Sequence, residues 1–468
     1  MKARENKEKA KSGYHGEYVC NVSHSLGFTC FWFPILRDTL QQLTKSNSRT
    51  KGFMKIRSIT YFFNPGWPPD ETKMKAAGVF LAEAKKVYEN IHYEVQTTRL
   101  ATTPFSRMPG RNIKETPEVA EAMETWLSEI GVEYASLGPA FPDVPGSYEI
   151  ISEAIARTNH IFFSGVMGDA QHGISLEAIR ACSQVIVDCA TITPDGFANL
   201  RFAALANVPP GSPFFPAAYH RDELPAFAIA TEAADLAVSA FHEAQTLEEG
   251  RRALINTLEE HGKALTAAAE RLSHQFSTRF QGIDFSLAPY PTDGQSLGSA
   301  VEKMGIPKIG LHGSLAAAAL LTEAVDRANF PHTGFSGFMQ PVLEDSTLAR
   351  RAAEGTLTIK DLLLYSAVCG TGLDTVPLPG NTRADQAAAL LLDLSTLALR
   401  LNKPLTARLM PIPGKKAGDP TAFDFAYFAN SKVILLQAEK LGGVFAGDET
   451  FKLQTIGGNH VEEETDIK

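Results

Sequence analysis

The stretch Met54-Lys55-Ile56-Arg57-Ser58-Ile59-Thr60-Tyr61-Phe62-Phe63-Asn64-Pro65-Gly66-Trp67-Pro68-Pro69-Asp70 decides the fold. Residues 56–63 are mostly β-branched or aromatic and predict a strand, because such side chains fit a pleated, half-buried surface. The Asn-Pro-Gly-Trp-Pro-Pro turn stops it, and Asp70 is placed to cap a helix reaching about Asn90. One strand–loop–helix unit is therefore complete within the segment.

The same rhythm continues outward. Strands are predicted at 93–100, 132–137, 161–163, 185–189, 200–206 and 226–231, with helices at 117–130, 147–157 and 174–182 between the earlier ones. Residues 233–276 read as two helices broken near Glu249-Gly250. Further strands are predicted at 282–287, 309–311, 334–342, 373–377 and 406–410, with helices at 314–328 and 383–401. Of these twelve segments roughly ten count as buried strands in βα units, more than an eight-stranded barrel uses. No repeat or low-complexity linker interrupts the chain after Met54. The predicted fold is a single large α/β barrel domain of mostly parallel strands surrounded by helices, over 54–468. Residues 1–53 mix Lys-rich polar sequence with an aromatic patch and lack either periodicity, so they read as an extension outside the core fold.

The chain has 468 residues, 44% hydrophobic and 21% charged, with a net charge of −9, which excludes disorder and disfavours nucleic acid as a partner. Cys20, Cys30, Cys182, Cys189 and Cys369 form neither a CxxC nor a zinc-type cluster, which suits a reducing compartment. The apolar run from Leu26 to Leu36 contains Pro34 and is too short to span a bilayer. A cytoplasmic protein with no membrane partner is expected; assembly into a homo-oligomer is left open. Motifs of the GxGxxG, GxSxG, HExxH and P-loop types are absent.

Candidate chemistry lies at predicted strand ends in Gly/Pro-rich turns. In Ala367-Val368-Cys369-Gly370-Thr371-Gly372-Leu373-Asp374, Cys369 and Asp374 are catalytic candidates; a buried structural cysteine is the alternative. His312, before a small-residue helix, is a general-base candidate. Arg408 and the loop Pro413-Gly414-Lys415-Lys416 suit an anion, and Asn64 and Ser286 join them as ligand-binding candidates. Val187-Asp188-Cys189 puts a carboxylate and a thiol at another expected strand end. Glu344 and Asp345 are metal candidates, with magnesium or calcium preferred over zinc because only oxygen ligands are at hand; helix capping by Asp345 is the alternative. A small-molecule ligand is the expected partner.

These segments resemble the domain-of-unknown-function 711 family, also called uncharacterised protein family 0210. The matching stretches are 54–60 with Asn64-Pro65-Gly66, Asp284 to Pro289, His312-Gly313, Phe335-Ser336-Gly337 with Glu344-Asp345, Val368-Cys369 with Gly372 to Asp374, and Pro413 to Asp419. The resemblance implies a ten-stranded barrel similar to that of pyruvate formate-lyase-like glycyl radical enzymes, with no established activity. In those enzymes a central-loop cysteine takes the radical from a C-terminal glycine. The tail Gly442 to Gly447 and Ile456 to His460 lacks the sequence pattern around that glycine. Some members occur beside amino-acid-sensing regulatory proteins, which points to metabolite sensing. The function expected is a small-molecule enzyme of transferase or lyase type acting on an anionic metabolite; the alternative is a non-catalytic metabolite-binding or regulatory protein.

Overall fold

The structure, a computed structural model, describes residues 54–108 and 112–456. The reading of 1–53, with Cys20 and Cys30, lies outside the described residues, as does the tail beyond Ile456.

Eleven strands belong to one sheet. They are β1 (Lys55–Phe63), β2 (Val95–Thr102), β3 (Tyr134–Ala140), β4 (Ile161–Asp169), β5 (Gly173–Ser175), β6 (Phe202–Ala206), β7 (Ala226–Glu232), β8 (Arg279–Asp284), β9 (Gly372–Pro379), β10 (Leu405–Ile412) and β11 (Thr450–Phe451). The path runs β8-β7-β1-β2-β3-β4-β6-β10-β9. β1, β2, β3, β4 and β6 are mutually parallel. β7 and β10 join the two sides of this block antiparallel, and each carries a parallel outer neighbour, β8 and β9. The sheet is thus mostly parallel and flanked by helices, as expected.

Strand pairing does not close it into the expected ring. The two ends, β8 and β9, instead contact an irregular segment: Ile283 bridges His332, and Pro341 bridges Asp374. Residues 334–342, expected as a strand, form none, nor do 309–311. Residues 185–189 are also helical, inside Leu176–Ala190. Ile179, Cys182, Val185, Ile186 and Cys189 are buried at helical spacing there, so a short apolar run that looks strand-like is one helix face. Asp188 and Cys189 accordingly mark no strand end. The helix pair in 233–276 is real, but its break is at residues 244–246, between Ala234–Glu243 and Leu247–Phe276. Gly250 lies inside the second helix, where a Cβ would stand 2.4 Å from the Phe241 ring. It permits close packing and does not end the helix.

The first unit forms as predicted. The Asp70 side chain accepts from the Lys73 amide at 2.9 Å and starts the helix Glu71–Asn90. That helix buries Met74, Ala77, Leu81, Ala84 and Tyr88 against the outer sheet face, where the main core gathers. Ile56 and Ile59 both join this core although three residues apart, which strict strand alternation forbids. A register shift between Ile56 and Ser58 absorbs the extra residue. Arg57, in the bulge, is thereby turned to the inner face. β9 repeats the device: Leu373 and Val376 share the outer core, and Thr375 between them sits at φ 40°. A β-branched residue at positive φ is strained, and the strain lies next to Asp374.

Candidate functional site

The inner face holds a cavity of about 350 Å³ whose wall includes Arg57, Arg99, Arg201, Glu344, Arg408 and Asp284. Its geometry follows from the two strand directions. β7 and β8 bring their carboxyl-terminal halves and β10 its middle to this end of the sheet, whereas the parallel block brings its amino-terminal ends. Tyr134 opens β3, and His160 and Arg201 immediately precede β4 and β6.

Four charged side chains form a buried chain of ion pairs. Arg408 donates Nε to Asp374 Oδ1 at 2.6 Å and Nη2 to Glu344 Oε1 at 2.7 Å. The other Glu344 oxygen, Oε2, accepts from Arg57. Burial opposes ionisation of Glu344, but Arg57 and Arg408 outweigh it and hold the carboxylate below its ordinary range. Burial likewise works against the Arg408 charge, and Asp374 and Glu344 overcome it and hold its pKa up. For Asp374 burial prevails and its pKa rises. Asp374 Oδ2 and Arg57 Nη1 are buried without a hydrogen-bond partner.

Arg99 stands apart. Its Nε donates to Thr97 Oγ1 at 2.9 Å, and among the described residues no carboxylate pairs with it. Its guanidinium carbon lies 5.0 Å from the Phe215 ring centroid and 5.9 Å from that of Tyr134. Burial, with Arg57 nearby, pushes its pKa down to about 10, so it remains charged at neutral pH. Across the cavity Asp284 accepts from the amides of Phe335 and Ser336, each at 3.0 Å, and from the Ser286 hydroxyl. Gly334, at φ 65°, permits this approach, since a Cβ there would lie 2.1 Å from Asp284 Oδ2. Burial raises the Asp284 pKa.

Of the residues singled out in the sequence, the cavity wall gathers Arg408, Glu344 and Ser286, with Asp374 directly behind Arg408. Cys369, His312, Asn64, Lys415 and Lys416 do not line it. Cys369 precedes β9 at the opposite end of the sheet, where Gly372 pairs Thr406 and Leu405 pairs Ala206, the last residue of β6. Its sulfur accepts from the Gly372 amide at 3.3 Å within the outer core. His312 and Lys416 are exposed and Lys415 half-buried; the Asn64 side chain accepts from the Gly66 amide at 3.0 Å in its own turn. Asp345 caps the helix Ser346–Glu354 through the Thr347 and Leu348 amides, both at 2.9 Å. It also accepts from Ser296 Oγ and the Leu297 amide, each at 2.6 Å, and from the Gly298 amide at 3.2 Å. Those donors occupy the lone pairs a cation would need. Among the described residues, no cluster of three or more His, Cys, Asp or Glu could hold a metal ion. No helix there is long and apolar enough to cross a membrane.

Sequence reasoning does not find Arg57, Arg99 or Tyr134. The available signal is a charge inside an otherwise apolar parallel strand, which a sheet covered on both faces does not tolerate without a use.

The buried thiols yield a direct check. Burial raises the pKa of Cys182, and that of Cys189 to about 12. In the chain carrying Cys20→Ser and Cys30→Ser, Cys182, Cys189 and Cys369 should stay unmodified by a thiol-exchange reagent until the protein is denatured. Fast native reaction at Cys369 would show that its loop opens.

The sequence profile of a family described as "Uncharacterised ACR (DUF711)" matches residues 50–430. The chain is similar to the UPF0210 protein of Pyrobaculum aerophilum, with 33% identity over 72% of this chain and 77% of that one. It is similar to that of Methanopyrus kandleri at 30% identity, over 75% and 81%. It is also similar to a Clostridium perfringens UPF0210 protein at 28%, over 69% and 76%.

Proposed function

Because the chain belongs to the uncharacterised DUF711 family, whose relatives' names carry no activity, we propose its function from the cavity: it takes up a small anionic metabolite and acts on it as an enzyme of transfer or lyase type. The observation that carries this reading is Arg99, a charged group on the wall of a largely apolar cavity with no carboxylate partner among the described residues. A half-buried cation with no counter-ion is costly to desolvate, and a ligand anion offsets that cost. Asp284 and Ser286 supply the chemistry. A carboxyl whose pKa is raised by burial exchanges a proton near neutral pH more readily than an ordinary one, and the Ser286 hydroxyl is bonded to it. The single domain over 54–468 is read here as a barrel in which residues 332–342 stand as the tenth stave. Support comes from the Ile283 amide donating to Pro331 O at 2.8 Å and the Val342 amide to Asp374 O at 3.1 Å.

A thermal-shift screen of small carboxylates and phosphate esters tests the proposal, since a ligand stabilises the fold whether or not it is turned over. At least one should raise the melting temperature of the wild type but not of Arg99→Gln. Conversion of that compound on incubation, lost in Asp284→Asn, marks the enzyme; recovery of it unchanged favours the binding protein. A screen in which no anion stabilises the wild type, or in which Arg99→Gln responds equally, removes the reading.

A further inference from the structure

We infer that the anion is a single carboxylate on a flat apolar body, seated on the donor edge of Arg99 between the rings of Tyr134 and Phe215. This rests on the reading of the cavity as an anionic-metabolite site and narrows it by charge, donor geometry and wall chemistry.

Charge comes first. The wall carries four guanidinium groups, Arg57, Arg99, Arg201 and Arg408, against the carboxylates of Asp284 and Glu344, with Asp374 bonded directly to Arg408. With all three carboxylates ionised, four against three leaves one positive charge, which a monoanion neutralises. A phosphate monoester near pH 7 carries more than one negative charge and would leave an excess in a low-dielectric site. The donors fit the same answer. Arg201 gives Nη1 to Thr158 O at 2.7 Å and Nη2 to Ile155 O at 2.9 Å, and Arg408 is divided between two carboxylates. Arg57 holds Glu344. Arg99 alone of the four has both Nη groups without an acceptor among the described residues. Two parallel N–H donors match the two oxygens of one carboxylate.

The body is set by the remaining wall. Phe162, Phe214, Phe215 and Met339 present apolar surface, and Phe425 and Tyr427 approach from the segment after β10. Rings on several sides favour a planar partner that stacks, and the cavity volume is at the small end for metabolite sites.

Isothermal titration with three matched probes tests this: 3-phenylpropanoate, 2-phenylethyl phosphate and neutral 3-phenylpropanamide. The expected result is tightest binding of the carboxylate, weakened about tenfold or more in Arg99→Gln, as for loss of a charge-assisted pair. Arg99→Lys should recover only part of it, because a lysine lacks the fork. Tighter binding of the phosphate, still dependent on Arg99, overturns the carboxylate assignment and leaves the anionic-metabolite reading standing. Equal binding of the amide, or no binding by any probe, overturns both. Should Arg99→Gln melt much below the wild type, Phe215→Leu provides the second measure: it should weaken the phenyl carboxylate and leave acetate unchanged, and equal effects on both overturn the assignment.

Discussion

Replacing Arg408 by methionine is expected to destabilise the protein by about 3–5 kcal/mol at pH 7, the usual result of removing one partner from a buried ion pair. Methionine fills most of the volume but leaves Glu344 with Arg57 alone and Asp374 with no cation directly bonded to it. A denaturant midpoint measured across pH identifies the cause. The Glu344 pKa is held below the ordinary carboxylate range, so its ionic contribution is present above that range and is lost as pH falls through the lower, folded pKa. Asp374 has its pKa raised by burial despite Arg408, and without Arg408 it rises further and takes up a proton more easily. Both effects act in one direction: the gap between wild type and Arg408→Met should narrow as pH falls into the acid range. A gap that stays constant to the acid limit would mean that lost packing, not lost charge, is what the substitution measures.

Asp345→Ala is expected to cost about 2–4 kcal/mol, combining a lost helix cap with buried donors left unsatisfied. Its carboxylate serves Thr347 and Leu348 at one helix and Leu297 and Gly298 at the start of another, Leu297–Lys303. Asp345→Asn should retain part of the stability, since one amide oxygen still accepts. Melting curves with and without magnesium or calcium complete the test. The loss should be the same in either condition, whereas metal-dependent stabilisation present in the wild type and absent in Asp345→Asn would return the residue to ion binding.

Much of the architecture is legible in the sequence because parallel strands and their covering helices repeat a strong local pattern. The unit from Ile56 to Asn90 needs only propensity, a breaker-rich turn and one capping aspartate, all local quantities. Errors arise where local pattern is ambiguous or tertiary pairing decides. Residues 185–189 are apolar enough for either element, and the burial of Cys182 and Ile179, one and two turns earlier, marks the helix face they continue. Residues 334–342 have strand composition, but Asp284 takes the amides of Phe335 and Ser336 that a neighbouring strand would otherwise use. The site is half legible for a topological reason. A search of Gly/Pro-rich strand ends reaches Ser286 just past β8, Asp374 near the start of β9, Arg408 within β10 and Glu344 in the irregular segment. It passes over Arg57, Tyr134 and His160, which arrive from amino-terminal ends of strands running in the opposite sense. The resemblance in short motifs identifies the family, yet Cys369 and the lysine loop lie off the cavity that the same motifs help to build.

The antiparallel seam between β6 and β10 also imposes an order in time. Its pairs join Ala204 to Ala407 and Ala206 to Leu405, so the outer edge of β6 has no partner until some two hundred further residues have left the ribosome. At typical synthesis rates that wait lasts about 10–40 s. Throughout it, Phe202-Ala203-Ala204-Leu205-Ala206 presents an apolar, uncharged strand edge, the kind that pairs with other chains when left open. The time of greatest exposure of this edge is therefore during translation, before β10 exists. Slower synthesis or a shortage of chaperones would then send nascent chains into aggregates through β6, while the completed molecule has that edge covered.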